Sequence, residues 1–481
     1  MIKHYKFKTK PYEHQLEALE KSWAQKTYAL FMEMGTGKSK VLVDNIAMLY
    51  DRGAIRGALI VAPKGVYKNW HDIEFPVHLP EHVDTTKVLW EPTQTKKKQA
   101  ELDTLFDDKG DLKILIMNIE AFSTTKGLDF AHRFLNIFLG KALIGIDEST
   151  TIKNPTAKRT KNILKIGDLA SYRRILTGSP VTKSPLDLYS QCEFLDPYHL
   201  GHQSYYSFRA RYANMVKRNF GGRQVQFVTS YRRLDELAEK LDNFSYRVLK
   251  EDCLDLPPKV FTTRTVELSP EQQEKYYTMK KAAIAEHDGK IMSSATALTT
   301  LLRLHQITCG TFKADDDTII PLKNNRLTAL MECLEEIDGK AIIWATYRED
   351  IKNIVASLKK AYGEASTVEY HGGVDATLRQ DNIAQFQQVK GPTRFFVGNA
   401  QTGGYGITLT AANTVIYYSN NYDLEKRLQS EDRAHRIGQT GSVTYVDLVA
   451  EKTIDERIIK SLKDKVGIAN EIMGEDIKDW I

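Results

Sequence analysis

Two series of short apolar runs divide this chain, and each run is followed by turn residues and then by a helical pattern. Short runs that do not alternate with polar residues indicate strands buried on both faces. Strands that alternate with helices predict a parallel sheet wrapped by helices. The runs lie at Ala29–Met32, Ala58–Ala62, Ile114–Met117, Leu143–Ile146 and Arg174–Thr177, and then at Ala341–Ala345, Thr367–Tyr370, Arg394–Val397, Val415–Tyr418 and Val443–Val449. We therefore predict an α/β fold with two lobes, each built on one parallel sheet.

The length of 481 residues is more than one hydrophobic core usually serves, which supports two lobes. We predict a first lobe over residues 1–245, with a helical insertion from about 186, and a connector over 246–262. The second lobe is predicted over 263–481, with a helical insertion to about 322 and a C-terminal domain from about 323. The region Leu186–Leu322 lacks the strand–helix rhythm and is predicted to be mostly helical. Pro257 and Pro258 favour an extended linker.

Composition narrows the class of protein only slightly. Hydrophobic residues make up 42% of the chain and charged residues 27%, as in an ordinary globular protein. A net charge of +5 permits a polyanionic partner without requiring one. The four cysteines are isolated and form no CxxC pair, so neither a zinc site nor a disulfide framework is expected. No apolar stretch reaches about eighteen residues, so we expect no membrane partner and a cytoplasmic location. The run Lys96–Lys98 is interpreted as a solvated helix face.

A glycine-rich segment follows the first apolar run and precedes a helical stretch, Lys40–Tyr50. Its residues are Met34, Gly35, Thr36, Gly37, Lys38 and Ser39. Glycines let the backbone curl so that its N–H groups face phosphate, and the helix N-terminus adds partial positive charge. Lys38 is predicted to reach the β- and γ-phosphates of a nucleotide, and the Ser39 hydroxyl to bind magnesium. The match to a phosphate-binding loop is partial, because the full pattern has glycine where Met32 stands.

An acidic pair, Asp147 and Glu148, comes directly after the apolar strand Leu143–Ile146. Carboxylates at the C-terminal edge of a parallel sheet point into the ligand crevice. We predict that Asp147 holds magnesium and that Glu148 polarises an attacking water molecule.

Near the C-terminus, the segment Gln429–Gln439 contains two arginines, Arg433 and Arg436, that are three positions apart. On a helix this spacing places both side chains on one face. Two guanidinium groups aimed in one direction can grip phosphate charge. A solvated charged helix is the alternative, and the upstream phosphate loop favours the nucleotide interpretation.

Assembled, these segments resemble the superfamily-two helicases, and within them the Swi/Snf-type DNA translocases, over nearly the whole chain. In that family the first glycine of the phosphate loop is normally absent. The segment from Gln429 to Gln439 is the most specific of the matching motifs. The motifs are Pro11-Tyr12 with Gln15, Glu33–Ser39, Val61–Pro63 with Asn69-Trp70, Asp147–Thr150 with Ile152–Pro155, Leu176–Pro180, Arg247 with Lys250 and Leu256–Lys259, Gly403-Gly404 with Gly406 and Leu409, and Gln429–Gln439.

The resemblance implies two RecA-like lobes that share one ATP site, with ATP and Mg²⁺ as cofactors. It implies catalytic roles for Lys38, Asp147, Glu148, Arg433 and Arg436, and magnesium binding by Ser39 and Asp147. Nucleotide-binding roles are implied for Gln15, Gly35, Thr36, Gly37, Lys38, Ser39, Gly406 and Gln429. The implied partner is duplex or branched DNA, bound without sequence preference. Candidate backbone contacts are Lys64, Lys153, Thr177, Thr402 and Thr408.

Three positions depart from the family pattern. Thr150 replaces the usual residue after the acidic pair, and Ser419 and Tyr422 replace a usual aspartate and tryptophan. These departures favour a divergent bacterial or phage branch, acting in the cytoplasm of a bacterium or of a bacterial host cell.

The leading hypothesis is an ATP-driven DNA translocase or helicase in replication, recombination or repair, with replication or recombination proteins as candidate partners. A second hypothesis is an RNA-acting helicase or a remodeller of RNA polymerase. A third is a nucleotide-gated clamp that holds DNA without sustained hydrolysis.

Overall fold

The computed structural model describes residues 2, 5–92, 95–220, 223–254, 256–289, 294–313, 318–402, 407–436 and 438–473. The chain divides into two compact units. The first comprises Met1–Val216, Val228–Asp255 and Ile468–Ile477, and the second comprises Lys217–Phe227, Leu256–Gly467 and Lys478–Ile481. Within the described ranges, no helix combines the length and the apolar character needed to cross a membrane.

The first part of the chain contains nine strands and eleven α-helices in the described ranges. The strands are β1 (Thr27–Met32), β2 (Gly57–Ala62), β3 (Thr85–Leu89), β4 (Leu112–Asn118), β5 (Ala142–Asp147), β6 (Tyr172–Leu176), β7 (Ala213–Phe220), β8 (Arg223–Tyr231) and β9 (Ser245–Val248). The helices are α1 (Glu13–Ser22), α2 (Lys38–Asp51), α3 (Tyr67–Asn69), α4 (Phe75–His78), α5 (Lys96–Asp103), α6 (Thr125–Ile137), α7 (Lys158–Gly167), α8 (Leu188–Leu195), α9 (Tyr205–Tyr212), α10 (Leu234–Asp242) and α11 (Lys250–Cys253). A π-helix over Trp70–Glu74 joins α3 to α4, and short 3₁₀ turns lie at Thr104–Phe106, Ile119–Ser123, Ser149–Ile152 and Pro185–Asp187.

Seven of these strands form one sheet in the order β3-β4-β2-β5-β6-β1-β9, and all neighbours are parallel. Successive residues of β2 alternate between the two cores that cover the sheet. Leu59 and Val61 pack into one core, and Ile60 and Ala62 into the other. The predicted burial on both faces is therefore confirmed.

Helix α2 lies close against the sheet because β5 has no side chain at Gly145. A Cβ atom there would lie 2.7 Å from the Leu42 side chain of α2, which is closer than a real contact allows. This approach fixes the start of α2, and with it the segment that precedes the helix, over the carboxyl end of the sheet.

The second part of the chain follows the same plan. Its strands are β10 (Lys259–Val266), β11 (Thr311–Lys313), β12 (Ile319–Pro321), β13 (Lys340–Trp344), β14 (Thr367–Tyr370), β15 (Phe395–Gly398), β16 (Ala412–Tyr417) and β17 (Val443–Ala450). Its helices are α12 (Pro270–Gly289), α13 (Ser294–Cys309), α14 (Asn325–Glu335), α15 (Arg348–Tyr362), α16 (Ala376–Gln387), α17 (Leu424–Glu431) and α18 (Ile454–Met473), with a 3₁₀ turn at Glu364–Ser366.

Six of these strands form a second sheet in the order β10-β17-β16-β13-β15-β14, again with all neighbours parallel. The predicted α/β fold, with two parallel sheets that are each flanked by helices, is confirmed.

The prediction of a mostly helical middle region missed several strands, whereas Pro257 and Pro258 lie in a segment without helix or strand between α11 and β10. The strands β7 and β8 pair with each other, β9 joins the first sheet and β10 joins the second. Strands β9 and β10 are edge strands with alternating polar residues, and seven of the eight residues of β10 are exposed or half-buried, all but the last. A search for unbroken apolar runs does not detect such strands, because only strands buried on both faces have them.

Candidate functional site

The glycine-rich segment forms the loop between β1 and α2, as the sequence predicts. Gly35 has a φ of 87° and Gly37 a φ of 89°, in the left-handed region that favours glycine. Gly37 precedes the first residue of α2, Lys38. The two glycines therefore turn the backbone so that the N-terminus of α2 follows the strand immediately, which is the geometry of an anion-binding loop.

The N-terminal end of α1 is fixed to this loop by two side chains. Gln15 Nε2 donates to the Thr36 carbonyl oxygen over 3.0 Å, and His14 Nε2 lies 2.7 Å from the same oxygen. Gln15 Oε1 accepts a hydrogen bond from the Tyr12 N–H over 3.0 Å. A Cβ atom on Gly37 would lie 2.2 Å from Gln15 Nε2, so glycine is required beside this glutamine. The structure thus brings together four of the predicted nucleotide-binding residues: Gln15, Gly35, Thr36 and Gly37.

Hydrogen bonds between residues of the loop itself also stabilise its conformation. The Thr36 hydroxyl donates to the Glu33 carbonyl oxygen over 2.8 Å, and Nζ of the buried Lys38 lies 3.4 Å from the same oxygen. The Glu33 carboxylate accepts a hydrogen bond from the Lys250 N–H over 2.8 Å. Sequence reasoning gave Glu33 no role, although it lies within the matching motif.

The acidic pair lies at the same edge of the first sheet as the loop. Strand β6 is the only strand between β1, which leads into the loop, and β5, which ends at Asp147. Neighbouring strands are about 4.8 Å apart, so the two strand ends are separated by about 10 Å. The carboxyl edge of this sheet therefore holds the loop and the acid close to each other.

The carboxylate of Asp147 is enclosed by hydrogen-bond donors. Trp70 Nε1 donates to Oδ2 over 2.9 Å, and the Glu148 N–H donates to Oδ1 over 3.0 Å. Burial raises the pKa of Asp147 above its ordinary value, while the Trp70 bond and the positive charge of Lys38 lower it in part. Trp70 is the first residue of the π-helix, a distortion that is frequent at functional sites. Sequence reasoning matched Trp70 to a motif but did not predict its bond to Asp147.

The backbone at Glu148 is left-handed, with a φ of 51° and a ψ of 61°. This conformation is uncommon for a residue other than glycine, asparagine or aspartate. It turns the chain sharply from the end of β5 into the 3₁₀ turn at Ser149–Ile152.

The turn after β6 packs against the phosphate loop. A Cβ atom on Gly178 would lie 3.0 Å from the Met34 nitrogen, and Arg247 Nη1 donates to the Gly178 carbonyl oxygen over 2.9 Å. Thr177 is only 1% exposed, and its hydroxyl accepts a hydrogen bond from the Ser179 N–H over 3.2 Å. Thr177, a predicted nucleic-acid contact, is thus buried in this turn, and its hydroxyl helps to shape it.

Two other predicted backbone contacts lie in the same unit. Lys64 is exposed in the turn after β2. Lys153 is half-buried, and its Nζ donates to Thr182 Oγ1 over 2.6 Å. Thr150, one of the departures from the family pattern, is buried with 3% exposure.

The arginine pair of the second unit is not on a helix, so the prediction of a shared helix face is wrong. Helix α17 ends at Glu431, and Arg433 and Arg436 lie in the turns that follow. Arg433 Nη1 nevertheless donates to the Ile407 carbonyl oxygen over 3.2 Å, and Arg436 Nη1 donates to Thr408 Oγ1 over 2.9 Å. The two guanidinium groups therefore reach adjacent residues by a turn rather than by helical spacing.

Gln439 holds this turn in place. Its Nε2 donates to the Ala412 carbonyl oxygen over 2.8 Å and to the Ala434 carbonyl oxygen over 3.2 Å, and its Oε1 accepts from the Thr440 N–H over 3.0 Å. Gln439, the final residue of the motif, is thus buried, and its hydrogen bonds hold the segment that carries the two arginines.

Helix α17 is anchored by Arg427, which the sequence analysis did not single out. Its guanidinium donates to both carboxylate oxygens of Asp447, at 2.6 and 3.0 Å, and to Glu431 Oε1 at 2.8 Å. It also lies 3.6 Å from the centre of the Tyr417 ring. Gln429 is buried beside it and bonds to side chains of its own helix, Glu425 and Lys426.

The remaining predicted residues of the second unit are placed as follows. Thr408 is half-buried under Arg436, and the Thr402 N–H donates to the Asn399 carbonyl oxygen over 3.0 Å. Ser419 Oγ accepts from the Thr346 N–H over 2.8 Å, so this departure residue joins the ends of β13 and β16. Tyr422 is 41% exposed. Gly406, together with Gly403 and Gly404, lies outside the described residues.

Comparison with known proteins gives two family matches and several relatives. Residues 14–312 match the SNF2-related domain, and residues 323–438 match the helicase conserved C-terminal domain. An ATP-dependent helicase of Mycoplasma genitalium, MG018, is 26% identical over 92% of this chain and 40% of its own length. The chromatin structure-remodeling complex subunit snf21 of Schizosaccharomyces pombe is 27% identical over 96% of this chain and 39% of its own length.

A further relative is the DNA annealing helicase and endonuclease ZRANB3 of Mus musculus, which is 28% identical over 67% of this chain and 29% of its own length. The chain thus spans about two fifths or less of the length of these three relatives. A solved structure, the Sulfolobus solfataricus SWI2/SNF2 ATPase core in complex with dsDNA, is similar with a TM-score of 0.42 and 22% identity, over 98% of this chain and 99% of that chain.

Proposed function

The chain belongs to the SNF2-related domain family, and we propose that it couples ATP hydrolysis to movement along duplex or branched DNA. One observation carries the proposal: a glycine loop leads into α2 at Lys38, at the same sheet edge as Asp147. Membership of this family, together with the glycine loop and Asp147 at one edge of the first sheet, supports the activity of a DNA-dependent ATPase.

ATP is the nucleotide that fits the first unit. The turned backbone at Gly35 and Gly37 presents N–H groups and the N-terminus of α2 to phosphate, and Lys38 supplies a positive charge beside them. The Ser39 hydroxyl and the Asp147 carboxylate are suitable oxygen ligands for Mg²⁺, which prefers such ligands together with phosphate oxygens. When bound, Mg²⁺ would neutralise charge on the phosphates. Burial raises the pKa of Asp147, and Trp70 and Lys38 oppose this rise by favouring the ionised form of the carboxyl group.

Two groups of residues are proposed to act during hydrolysis. Glu148 orients and polarises the attacking water. Arg433 and Arg436 stabilise charge on the γ-phosphate, as arginine fingers supplied within one chain. Gln15 is proposed to read the adenine ring, and Gly406 and Gln429 to complete nucleotide binding. Separation of the two lobes after hydrolysis would convert each turnover into a step along DNA.

Contact with DNA is proposed through the backbone, without reading the sequence. Lys64, Lys153, Thr177, Thr402 and Thr408 are the candidates for this role, although Thr177 is buried. Backbone contacts by cations make affinity independent of sequence and strongly dependent on salt. Among the relatives, ZRANB3 is a DNA annealing helicase and endonuclease, and snf21 is a subunit of a chromatin structure-remodeling complex.

For the cellular role we propose replication, recombination or repair in the cytoplasm of a bacterium or of a bacterial host cell, with proteins of those pathways as partners. Ser419 and Tyr422, which depart from the family pattern, support assignment to a bacterial or phage branch of the family.

The test is the ATPase rate of the purified protein with duplex, forked and four-way DNA, single-stranded DNA and RNA, paired with a strand-displacement assay. We expect duplex or branched DNA to stimulate hydrolysis, and Lys38→Ala to abolish the stimulated rate without unfolding the protein. Stimulation by RNA alone would favour an RNA-acting helicase or polymerase remodeller. A single turnover followed by stable DNA binding would favour a nucleotide-gated clamp. Near-normal turnover by the Lys38→Ala variant would contradict the assignment of the site.

A further inference from the structure

Gln191 is a buried polar residue of α8 that lies outside the matching motifs. Ser149, the residue that follows Glu148, is equally buried, and its hydroxyl donates to Gln191 Oε1 over 2.7 Å. Gln191 Nε2 donates to the Pro180 carbonyl oxygen over 2.9 Å and to the Asp187 carbonyl oxygen over 2.8 Å. The side-chain amide of Gln191 therefore joins three segments of the first unit: the turn after β5, the turn after β6 and the residues that lead into α8.

Asp187, the residue before α8, continues this network. Its Oδ2 accepts from the Thr182 N–H over 3.1 Å and from the Lys183 N–H over 2.7 Å. Thr182 Oγ1 also donates to Asp187 Oδ2, and it accepts a hydrogen bond from Lys153 Nζ over 2.6 Å. Ser149 begins the 3₁₀ turn, and Lys153 follows its last residue. Both ends of this turn are therefore fixed to the chain between β6 and α8.

The turn begins immediately after Glu148, whose backbone is left-handed with a φ of 51°. Such a conformation in a residue other than glycine costs free energy and persists only where the surrounding structure fixes it. The Glu148 N–H donates to Asp147 Oδ1, and the Thr151 N–H donates to the Glu148 carbonyl oxygen over 3.0 Å. The bond from Ser149 to Gln191 fixes the residue directly after Glu148. Gln191 thus helps to set the direction in which the Glu148 side chain leaves the backbone.

The neighbouring residue, Ser190, shows that burial on α8 does not by itself bring a hydrogen-bond partner. Ser190 is also fully buried, and its Oγ has no partner among the described residues. Gln191, by contrast, bonds through both its amide oxygen and its amide nitrogen. A satisfied buried polar network is rigid and specifies one arrangement of the chain. Supporting hydrogen bonds of this kind hold a catalytic side chain in its productive geometry.

We propose that Gln191 is a positioning residue for ATP hydrolysis: through Ser149 it holds Glu148 in the conformation in which its carboxylate orients the attacking water. This proposal rests on the proposed function, in which Glu148 has that role. Gln191 donates to and accepts from protein groups, so it acts on the rate of hydrolysis and not on the affinity for ATP. The expected signature is therefore a lower kcat at an unchanged Kd for ATP.

The test compares three single variants and one double variant. Gln191→Met removes both hydrogen-bonding atoms and keeps a side chain of similar length. Ser149→Ala removes only the hydroxyl that donates to Gln191. Ser190→Ala is the matched control, because it also removes a fully buried serine hydroxyl, but one without a hydrogen-bond partner among the described residues. The double variant of Ser149 and Gln191 completes a mutant cycle.

We expect kcat to fall about tenfold or more in Gln191→Met and in Ser149→Ala, because a small misplacement of a catalytic group costs up to about 100-fold. The double variant should be no slower than Gln191→Met, since one bond carries both effects. Ser190→Ala should keep the kcat of the unchanged protein. The Kd for a fluorescent ATP analogue should be equal in all five proteins.

Amide hydrogen exchange gives a readout that does not depend on hydrolysis. The Thr151 and Lys153 N–H groups close the turn with hydrogen bonds of 3.0 and 3.2 Å. These amides should exchange faster in Gln191→Met and in Ser149→Ala than in the unchanged protein or in Ser190→Ala. The amides of α2 should exchange equally in all of them. If Gln191→Met does not fold, Ser149→Ala alone decides, because it removes a single hydroxyl.

Three outcomes would overturn the proposal: an unchanged kcat in Ser149→Ala, an equal loss of kcat in Ser190→Ala, or a loss of ATP affinity as large as the loss of kcat. The proposed function fails separately, if DNA does not stimulate hydrolysis by the unchanged protein. The role of Gln191 is then still decided by the basal kcat and by the exchange of the turn. A protein that hydrolyses no ATP at all would overturn both.

Discussion

The indole nitrogen of Trp70 donates a hydrogen bond to Oδ2 of Asp147 over 2.9 Å. This bond lowers the pKa of a carboxyl group whose pKa burial raises. It therefore helps the carboxylate to stay ionised, as binding of a cation requires.

Replacing Trp70 by phenylalanine is expected to lower the DNA-stimulated ATPase rate about tenfold, because removal of an outer-shell partner of a metal ligand has effects of about 10- to 100-fold. The pKa of Asp147 should rise without the donor, so the acid limb of the pH–rate profile should move to higher pH. Trp90→Phe is the control, since the buried Trp90 indole nitrogen has no hydrogen-bond partner among the described residues. Equal profiles for the two variants would refute the role of the bond.

Removing the Arg436 side chain, in an Arg436→Ala variant, is expected to reduce ATP turnover by about 10³-fold or more, because an arginine finger contributes that much to phosphoryl transfer. Binding of a fluorescent ATP analogue should persist. Thr408→Val removes only the hydroxyl that accepts the 2.9 Å bond from Arg436, so its effect should be smaller, at most about tenfold. Near-normal turnover in Arg436→Ala would show that this arginine is not catalytic.

A Gly37→Ala substitution is expected to weaken ATP binding and to lower stability. The new methyl group would meet Gln15 Nε2 at 2.2 Å and displace the side chain from the loop. Gly140→Ala controls for backbone strain alone, since Gly140 also has a positive φ, 79°, and no atom within 4 Å of its Cβ position. Both variants should lose about 1 kcal/mol through the left-handed backbone. Only Gly37→Ala should raise the Kd for ATP; equal values of Kd would disprove the steric argument.

Arg427→Met is expected to destabilise the second unit by about 3 to 5 kcal/mol, because it leaves the buried carboxylate of Asp447 without its cation, while Glu431 keeps its ion pair with Lys259. The control is Arg264→Met. Arg264 also pairs with two carboxylates, those of Glu332 and Glu336, but both of these are more than half exposed. That variant should lose less than about 1 kcal/mol. Chemical denaturation of both variants measures the difference, and similar losses would contradict the importance of burial.

Burial raises the pKa of Asp350 to about 8, although Arg326 and Cys309 lower it in part. The folded state therefore keeps a proton that the unfolded state releases near the ordinary value of 3.8. Stability should fall as pH rises from about 4 to about 8, by up to about 1.4 kcal/mol for each pH unit, and should not change further above that range.

An Asp350→Asn variant is expected to lack this component of the pH dependence, because the amide does not titrate. Thermal unfolding of both proteins across the range measures it. If plots of unfolding temperature against pH stay parallel for the two proteins from about pH 4 to about pH 8, Asp350 is ionised in the folded protein.

The sequence predicted the buried strands, the phosphate loop and the acid at the end of β5, because each is a local pattern of apolar residues, glycines and carboxylates. It did not predict the edge strands β9 and β10, whose alternating polar residues interrupt any apolar run. The bonds from Trp70 to Asp147 and from Arg427 to Asp447 join residues 77 and 20 positions apart. Such pairs depend on the strand order of the sheets, which a local pattern does not contain.

The arginine pair shows a different limit of sequence reasoning. The spacing of Arg433 and Arg436 indicated a helix, but α17 ends two residues earlier, at Glu431. The side chain of Gln439, rather than helical hydrogen bonding, fixes the turn that carries both arginines. The two guanidinium groups nevertheless reach adjacent residues, Ile407 and Thr408, from turns rather than from one face of a helix.

The left-handed backbone at Glu148 affects which residues this position would accept under different selections. Glycine would adopt this conformation without strain, so glutamate at position 148 carries a backbone cost of about 1 kcal/mol. This cost is consistent with a functional need for the carboxylate. In a library of random substitutions screened only for solubility, glycine should be enriched at this position; in one screened for ATP hydrolysis, glutamate should be retained.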